Sequence, residues 1–174
     1  MTAAVLAWAL TQLEHGSRVV LASVVTSSGS VPGKSGARLA MRSGDEHWVG
    51  TVGGAGLEMM ILKECKSMLK HHARSAGKVL TYGLNKGAKG YEVTALDSLC
   101  GGRVTLSLEV LIPMPHVLLI GGGHCAQAIA PALDALGWDH SVHDTRADFC
   151  DAATFPHARH HLHMDAPTFV NTQK

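Results

Sequence analysis

The spacing of apolar and polar positions along the chain predicts a mixture of helices and strands. Between residues 57 and 72, apolar or half-apolar residues recur at the i, i+3, i+4 spacing of one helix face. This pattern predicts a helix from about residue 56 to residue 75, closed by Gly77 in a left-handed cap. The first 14 residues carry polar side chains on a helical period and lack a basic start, so they indicate an amphipathic helix and not a signal peptide. Short apolar or β-branched runs predict strands at residues 18–26, 37–42, 47–52, 78–82, 103–112 and 116–120.

Two prolines within three residues mark the clearest boundary in the chain. Pro113 and Pro115 interrupt the hydrogen bonding of helices and sheets, so we expect an extended hinge there. The expected domains are residues 1–112 and 116–174. The predicted class is α/β, with an N-terminal mixed α+β domain followed by a truncated Rossmann-like βαβ half-domain. About 30 residues follow the second predicted strand of this half, which leaves room for roughly one more βα step, with a third strand near residues 161–164.

Composition and charge narrow the class of protein. Hydrophobic residues make up 46% of the 174 residues, enough to bury a substantial core. No apolar run reaches the ~20 residues of a membrane span, and the net charge of +1 indicates no nucleic-acid surface. The four cysteines show no C-x-x-C spacing, which argues against a zinc ribbon or disulfide framework and predicts reduced thiols in the cytoplasm. They are Cys65, Cys100, Cys125 and Cys150.

Three consecutive glycines follow the apolar run at residues 116–120 and open an alanine-rich helical stretch. Gly121, Gly123 and Ala126 fit the three positions of the G-x-G-x-x-G/A motif, in which backbone N–H groups and a helix N-terminus face a pyrophosphate. Asp144 follows about 20 residues later, where an acid would bind the ribose. The motif predicts a nucleotide site, and the alternative is a tight β-to-α turn without a ligand.

A second glycine-rich turn, Gly53-Gly54-Ala55-Gly56, also joins a predicted strand to a predicted helix. Unpaired N–H groups at the helix start, together with the missing side chains, make such a turn a candidate anion site. A cramped turn with no ligand is the alternative.

Cys100-Gly101-Gly102 precedes the strand at residue 103, which places Cys100 on a loop where its sulfur could face a cleft. Lys34 and Arg38 would supply the electropositive setting that a reactive thiol requires. The alternative is a buried, inert thiol, as expected for Cys65 on the apolar helix face. The histidines at 157, 160, 161 and 163 match no metal-ligand spacing and predict a solvated loop.

Taken together, these motifs resemble the XdhC/CoxI family, the accessory proteins of xanthine dehydrogenase and related molybdenum hydroxylases. The resemblance implies that the N-terminal domain binds the molybdenum cofactor (molybdopterin), takes part in its sulfuration and delivers it to the enzyme. It implies a chaperone more than a catalyst, with an apo molybdenum hydroxylase and a cysteine desulfurase-type sulfur donor as partners. The matching stretches are residues 22–38, 50–58, 99–103, 117–126 and 143–146.

The resemblance also implies where the cofactor lies. Backbone N–H groups would hold its phosphate, and Cys100, the one family-matched thiol, would contact or shield its metal or sulfur. The implied site residues are Gly53, Gly54, Ala55, Cys100, Gly101 and Gly102.

Two other hypotheses remain open. The chain could be an NAD(P)-dependent oxidoreductase or nucleotide-binding module that uses Gly121, Gly123 and Asp144, with Arg146 for a 2′-phosphate. We expect NAD(P) to bind weakly or not at all, because the half-domain that would form the far wall of a dinucleotide site is missing, and a mononucleotide or simple anion fits better. Alternatively, the chain contributes only an interface to a larger assembly. An exposed sheet edge in the second half predicts a homodimer.

Overall fold

A computed structural model describes residues 2–70, 76–90, 93–97 and 100–172, with the backbone alone at Ala55 and Thr172. The chain divides into two compact units, Met1–Pro113 (unit 1) and Met114–Lys174 (unit 2). The helices are α1 Thr2–Glu14, α2 Ala55–Lys70, α3 His124–Ala135 and α4 Ala166–Thr172. The strands are β1 Val19–Ser28, β2 Arg38–Arg42, β3 Trp48–Gly50, β4 Gly77–Gly83, β5 Val93–Ala95, β6 Arg103–Leu111, β7 His116–Ile120, β8 Asp139–Asp144 and β9 His161–His163.

Unit 1 is built on a six-stranded sheet with the strand order β3-β2-β1-β6-β4-β5. β1 pairs antiparallel with its two neighbours, β2 and β6. The pairs β2–β3 and β4–β6 are also antiparallel, and β4 and β5 are parallel. The central strand β1 is buried on both faces. Val20 and Ala22 belong to the core on one face, and Val19 belongs to the core on the other. This double burial explains why β1 has an almost continuous apolar sequence.

Helices cover both faces of this sheet. α1 packs Val5 and Ala9 against Val19 and Ala40, which confirms the amphipathic helix predicted at the N-terminus. α2 packs on the other face through four core residues at a spacing of four, and this confirms the predicted apolar stripe. These residues are Leu57, Ile61, Cys65 and Leu69.

The sequence pattern was least accurate at the ends of elements. Helix α2 is described as far as Lys70, and residues 71–75 of the predicted helix lie outside the described residues. The predicted cap at Gly77 is wrong, since Gly77 begins β4 and has no left-handed backbone. β3 is shorter than predicted because Gly50, with a φ of +84°, turns the chain out of the strand. The short strand β5 lies between residues 83 and 103, where the sequence pattern predicts no strand.

Unit 2 contains a three-stranded parallel sheet in the order β7-β8-β9. α3 connects β7 to β8 and buries Ala126, Ala130 and Leu133 against Leu119 and Val142. β9 and α4 form the one further βα step for which the sequence left room. The α/β class predicted from the sequence is confirmed. No helix in the described part of the chain is long and apolar enough to cross a membrane.

Candidate functional site

The loop between β1 and β2 contacts both glycine motifs of unit 1. A Cβ at Gly102 would lie 2.4 Å from Cγ1 of Val31 and 2.5 Å from the carbonyl oxygen of Ser28. A Cβ at Gly33 would lie 2.0 Å from the carbonyl oxygen of Val52, next to Gly53. Side chains are therefore excluded at positions 33 and 102, and close backbone contacts join the loop to each motif.

A cavity of about 560 Å³ opens beside this loop. Two cations line it: Lys34 is exposed, and Arg38 is half-buried and donates from Nε to Oγ of Ser23 over 3.2 Å. No carboxylate is present among the described residues that line the cavity. The cavity therefore carries two positive charges and favours an anionic ligand. Thr2, Ser35, Thr51 and Gly53 also contribute to its wall.

The predicted turn at residues 53–55 is only partly in this cavity. Gly53 lines it, and its φ of +138° favours glycine. The carbonyl oxygen of Gly54 accepts a 3.1 Å hydrogen bond from the N–H of Glu58, and α2 begins at Ala55. The first N–H groups of a helix have no partner within the helix. The Glu58 carboxylate accepts a short hydrogen bond from the Thr51 hydroxyl. This negative charge in the first turn already offsets the helix dipole, which leaves Lys34 and Arg38 as the stronger anion-binding groups.

Gly101 and Gly102 line a separate, smaller cavity of about 280 Å³, together with Arg103 and Asn85. Gly102 is required by its contacts with the loop. In contrast, a Cβ at Gly101 would meet no protein atom within 4 Å, and the backbone there is not left-handed. Packing among the described residues therefore does not account for glycine at position 101.

Cys100 is half-buried, packs against the core of unit 1 and is not among the residues that line either cavity. Among the described residues, no three His, Cys, Asp or Glu side chains form a group that could hold a metal ion. A metal at Cys100 would therefore require ligands from a bound cofactor, and the role of Cys100 stays a prediction. Cys65 is fully buried, as predicted, and burial raises its pKa to about 12.

In unit 2, the three glycines of the turn between β7 and α3 have different environments. Gly121 has a φ of +91°, and its N–H donates a 2.7 Å hydrogen bond to the carbonyl oxygen of His143. A Cβ at Gly122 would lie 1.5 Å from the carbonyl oxygen of Phe149. Gly123 has an extended backbone, with φ −73° and ψ −168°, and a Cβ there would meet no atom within 4 Å. The middle glycine, which the motif leaves unspecified, is thus the one that internal packing requires.

Asp144 lies at the end of β8, where the motif predicts a ribose-binding acid, but the protein itself occupies its carboxylate. Oδ1 accepts hydrogen bonds of 2.9 and 3.0 Å from the backbone N–H and Nε of Arg146. Oδ2 accepts from the N–H of Gly122 at 2.9 Å and from Nη2 of Arg146 at 3.0 Å. The Arg146 hydrogen bonds hold the pKa of Asp144 well below its usual range.

Ala126 is buried between α3 and the sheet, which matches the close helix–strand packing expected at the third position of the motif. The prediction of a nucleotide at Gly121, Gly123 and Asp144 is not tested by this packing.

His140, on β8, is 1% exposed, and neither of its ring nitrogens has a hydrogen-bond partner among the described residues.

Sequence reasoning missed several residues of these sites. Gly33 and Arg103 were not singled out, because their contacts join segments far apart in sequence. Lys34 and Arg38 were assigned to the surroundings of Cys100, whereas both line the larger cavity. The sequence feature that could have indicated this cavity is the presence of two cationic residues among small residues at positions 32–38.

Known proteins share parts of this chain. One is a crystal structure from Bacillus halodurans that is described as a xanthine dehydrogenase and is 15% identical to this chain. The alignment covers 94% of this chain and 70% of the Bacillus halodurans chain, with a TM-score of 0.42. A score at that level supports no inference about this chain. The uncharacterized protein YqeB of Escherichia coli (strain K12) is 30% identical over 159 residues, which is 88% of this chain. The chain spans 27% of the length of YqeB.

The model of the XdhC and CoxI family matches residues 12–83. This stretch contains both cations of the larger cavity and its wall from Pro32 to Gly53. By this match, residues 12–83 are similar to the XdhC and CoxI family.

Proposed function

We propose that this chain is a cytoplasmic accessory protein of a xanthine dehydrogenase-type molybdenum hydroxylase. In this proposal, unit 1 binds the molybdenum cofactor, a cysteine desulfurase-type donor supplies sulfur for its sulfuration, and the loaded chain delivers it to the apo-hydroxylase. The match of residues 12–83 to the XdhC and CoxI family supports the accessory role. The doubly cationic cavity in the family-matched region is the observation that carries the cofactor assignment.

The size and charge of this cavity fit an anionic pterin. Its volume of about 560 Å³ lies within the ~300–1,000 Å³ range of small-molecule sites. Lys34 and Arg38 would hold the phosphate of the cofactor, and Ser35 would add a hydroxyl group beside it. Glycine at position 53 lets a ligand approach the backbone. Bound there, the cofactor would supply a metal with sulfur ligands.

The second glycine motif extends the proposed site. One loop contacts both motifs, so a ligand that moves the loop at Gly33 would also affect Gly102. Glycine at position 101 has open space in front of it, which suits a closely approaching ligand. Cys100 precedes this glycine, and in the proposal its thiol contacts or shields the metal or sulfur of the cofactor.

The proposal includes a homodimer formed through unit 2. β7 pairs on one side with β8 and is an edge strand of the described sheet. Ile120, at its end, is 73% exposed. An exposed strand edge with an apolar residue favours pairing with another chain. Light scattering after size-exclusion chromatography should give the dimer mass for the parent, and Ile120→Asp should shift it toward the monomer. A monomeric parent would contradict this part of the proposal.

The cofactor assignment is tested by co-expressing the chain with cofactor biosynthesis and measuring molybdenum and pterin in the purified protein. Lys34→Ala should weaken retention about tenfold, the effect of losing one charge-assisted contact. Lys63→Ala is the matched control, because Lys63 is an exposed lysine on α2 outside the cavity. Cys100→Ala should also lower the molybdenum content while leaving the melting temperature near that of the parent.

Two results would count against the proposal. The first is a folded parent that carries neither molybdenum nor pterin. The second is equal loss in the Lys34→Ala and Lys63→Ala variants, which would show a nonspecific charge effect.

A further inference from the structure

Arg146 lies next to the glycine turn of unit 2. Nη2 of Arg146 and the N–H of Gly122 donate to the same oxygen, Oδ2 of Asp144, over 3.0 and 2.9 Å. Because they share this acceptor, the guanidinium is close to the turn that precedes α3. The side chain of Arg146, at the end of β8, therefore lies beside the start of α3.

Asp144 has no capacity left for a ligand in this arrangement. A carboxylate offers about four lone-pair positions, and its two oxygens already accept four hydrogen bonds from Gly122 and Arg146. Its side chain is only 5% exposed. A pair of ribose hydroxyls would have to displace Arg146 before Asp144 could accept from them.

Arg146, in contrast, is held in place and still accessible. Its Cζ lies 3.7 Å from the centroid of the Phe149 ring, and Asp144 holds Nε and Nη2. Nη1 takes part in none of these hydrogen bonds, and the side chain is 60% exposed. A guanidinium fixed by stacking and by one carboxylate, with an open edge, is preorganised to bind phosphate.

The adjacent turn supplies an independent observation. A Cβ at Gly123 would meet no protein atom within 4 Å, and the backbone there is one that any residue adopts. The described residues give no packing reason for glycine at this position. Close approach of a phosphate to the backbone at the start of the 12-residue helix α3 would give one.

We propose that unit 2 binds a nucleotide whose ribose carries a 2′-phosphate in addition to its 5′-phosphate, with the 5′-phosphate at Gly123 and the first turn of α3 and the 2′-phosphate on Arg146. In β-α-β nucleotide folds, the end of the second strand faces the ribose 2′ position, where an acid selects a hydroxyl and an arginine accommodates a phosphate. In this chain the carboxylate of Asp144 already accepts four hydrogen bonds, whereas the guanidinium of Arg146 is accessible to a ligand. The inference concerns unit 2 and does not depend on the cofactor assignment in unit 1.

Titration calorimetry on the full chain with three nucleotides tests this inference. Adenosine 2′,5′-bisphosphate should bind about tenfold more tightly than 5′-AMP, the effect of one charge-assisted phosphate contact. It should also bind more tightly than adenosine 3′,5′-bisphosphate, which has the same charge. Arg146→Met should abolish this preference. The control is Arg159→Met, which removes an exposed cation of unit 2 that is paired with Asp139.

The comparison of the three nucleotides needs no variant, so an Arg146 variant that fails to fold leaves the test intact. Equal affinity for the two bisphosphates would overturn the inference, because net charge alone would then explain the binding. Tighter binding of 5′-AMP, or no detectable binding of any of the three, would also overturn it. Retention of the 2′ preference in a folded Arg146→Met variant would overturn the assignment to Arg146.

Discussion

Gly122 and Phe149 are in direct backbone contact: a Cβ at Gly122 would lie 1.5 Å from the carbonyl oxygen of Phe149 and 2.7 Å from its carbonyl carbon. Phe149 ends the short 3-10 turn that follows β8, so this contact joins the two turns at one end of the sheet. It also places the Gly122 N–H within hydrogen-bonding distance of Asp144. The fold of unit 2 therefore depends on the middle glycine of the triplet.

We expect Gly122→Ala to destabilise unit 2 by about 3 kcal/mol or more, because backbone cannot move aside as a flexible side chain does. Gly123→Ala is the matched control and should cost no more than about 1 kcal/mol, the effect of placing alanine at the N-cap of α3. Chemical denaturation followed by the fluorescence of Trp138, in a background without Trp8 and Trp48, reports on unit 2. Equal stability of the two variants would contradict the contact.

Unit 1 also contains two neighbouring glycines, Gly101 and Gly102, of which only Gly102 is required by packing. Gly102→Ala should destabilise this unit by about 1–3 kcal/mol, since its Cβ would overlap Val31 and the carbonyl oxygens of Ser28 and Ser30. Gly101→Ala should leave the melting temperature unchanged, because its Cβ would enter open space. If the proposed cofactor site is correct, Gly101→Ala should nevertheless lower the pterin content. A stable Gly102→Ala variant would show that the loop does not pack as described.

The thiols of Cys65 and Cys125 should react at very different rates. Cys65 is buried and its pKa is raised to about 12 by that burial, whereas Cys125 is exposed in the first turn of α3. Treatment of the folded protein with a thiol reagent at pH 8, followed by mass spectrometry, should label Cys125 first and Cys65 only on unfolding. Cys65→Ser should reduce stability by about 1–3 kcal/mol, and Cys125→Ser should be neutral. Early labelling of Cys65 would contradict its place in the core.

The ion pair of Asp144 with Arg146 should give unit 2 an acid-sensitive contribution to stability. The folded-state pKa of Asp144 is lowered, so the contribution is present above the unfolded pKa of about 4 and is lost as the pH falls below it. Asp144→Asn should therefore lower the melting temperature at pH 7, and the difference from the parent should shrink as the pH falls from about 4 to 3. Asp148→Asn, at an exposed position, is the control. A difference that does not change with pH would contradict the prediction.

His140 should be replaceable by an apolar residue. It is 1% exposed, its ring nitrogens have no hydrogen-bond partner among the described residues, and its Nδ1 lies 3.5 Å from Oδ1 of Asp134. Burial of unpaired polar atoms costs about 1–3 kcal/mol, so His140→Leu should be neutral or raise the melting temperature. A clear loss of stability would indicate that the contact with Asp134 outweighs this cost.

The sequence by itself determined the local elements, because each leaves a periodic trace in the order of the residues. The spacing of Leu57, Ile61, Cys65 and Leu69 specifies the buried face of α2, and the continuous apolar run of β1 reflects burial on both sides. The α/β class followed from these patterns, and the resemblance to the XdhC and CoxI family followed from motifs that are each short and local in sequence. The short glycine turns before α2 and α3 could also be predicted from the sequence, since each joins a strand to a helix.

Only the tertiary structure decided which of these residues share a surface and which are already occupied. The β1–β2 loop meets Gly102 through contacts about 70 residues apart in sequence, a separation that no local pattern encodes. Lys34 and Arg38 belong to one cavity, while Gly101 belongs to another. The motif position of Asp144 predicted an acid open to a ribose, but its four hydrogen bonds depend on how Gly122 and Arg146 are placed in three dimensions. Hydrogen-bond capacity is a property of the folded neighbourhood, and residue identity alone does not reveal it.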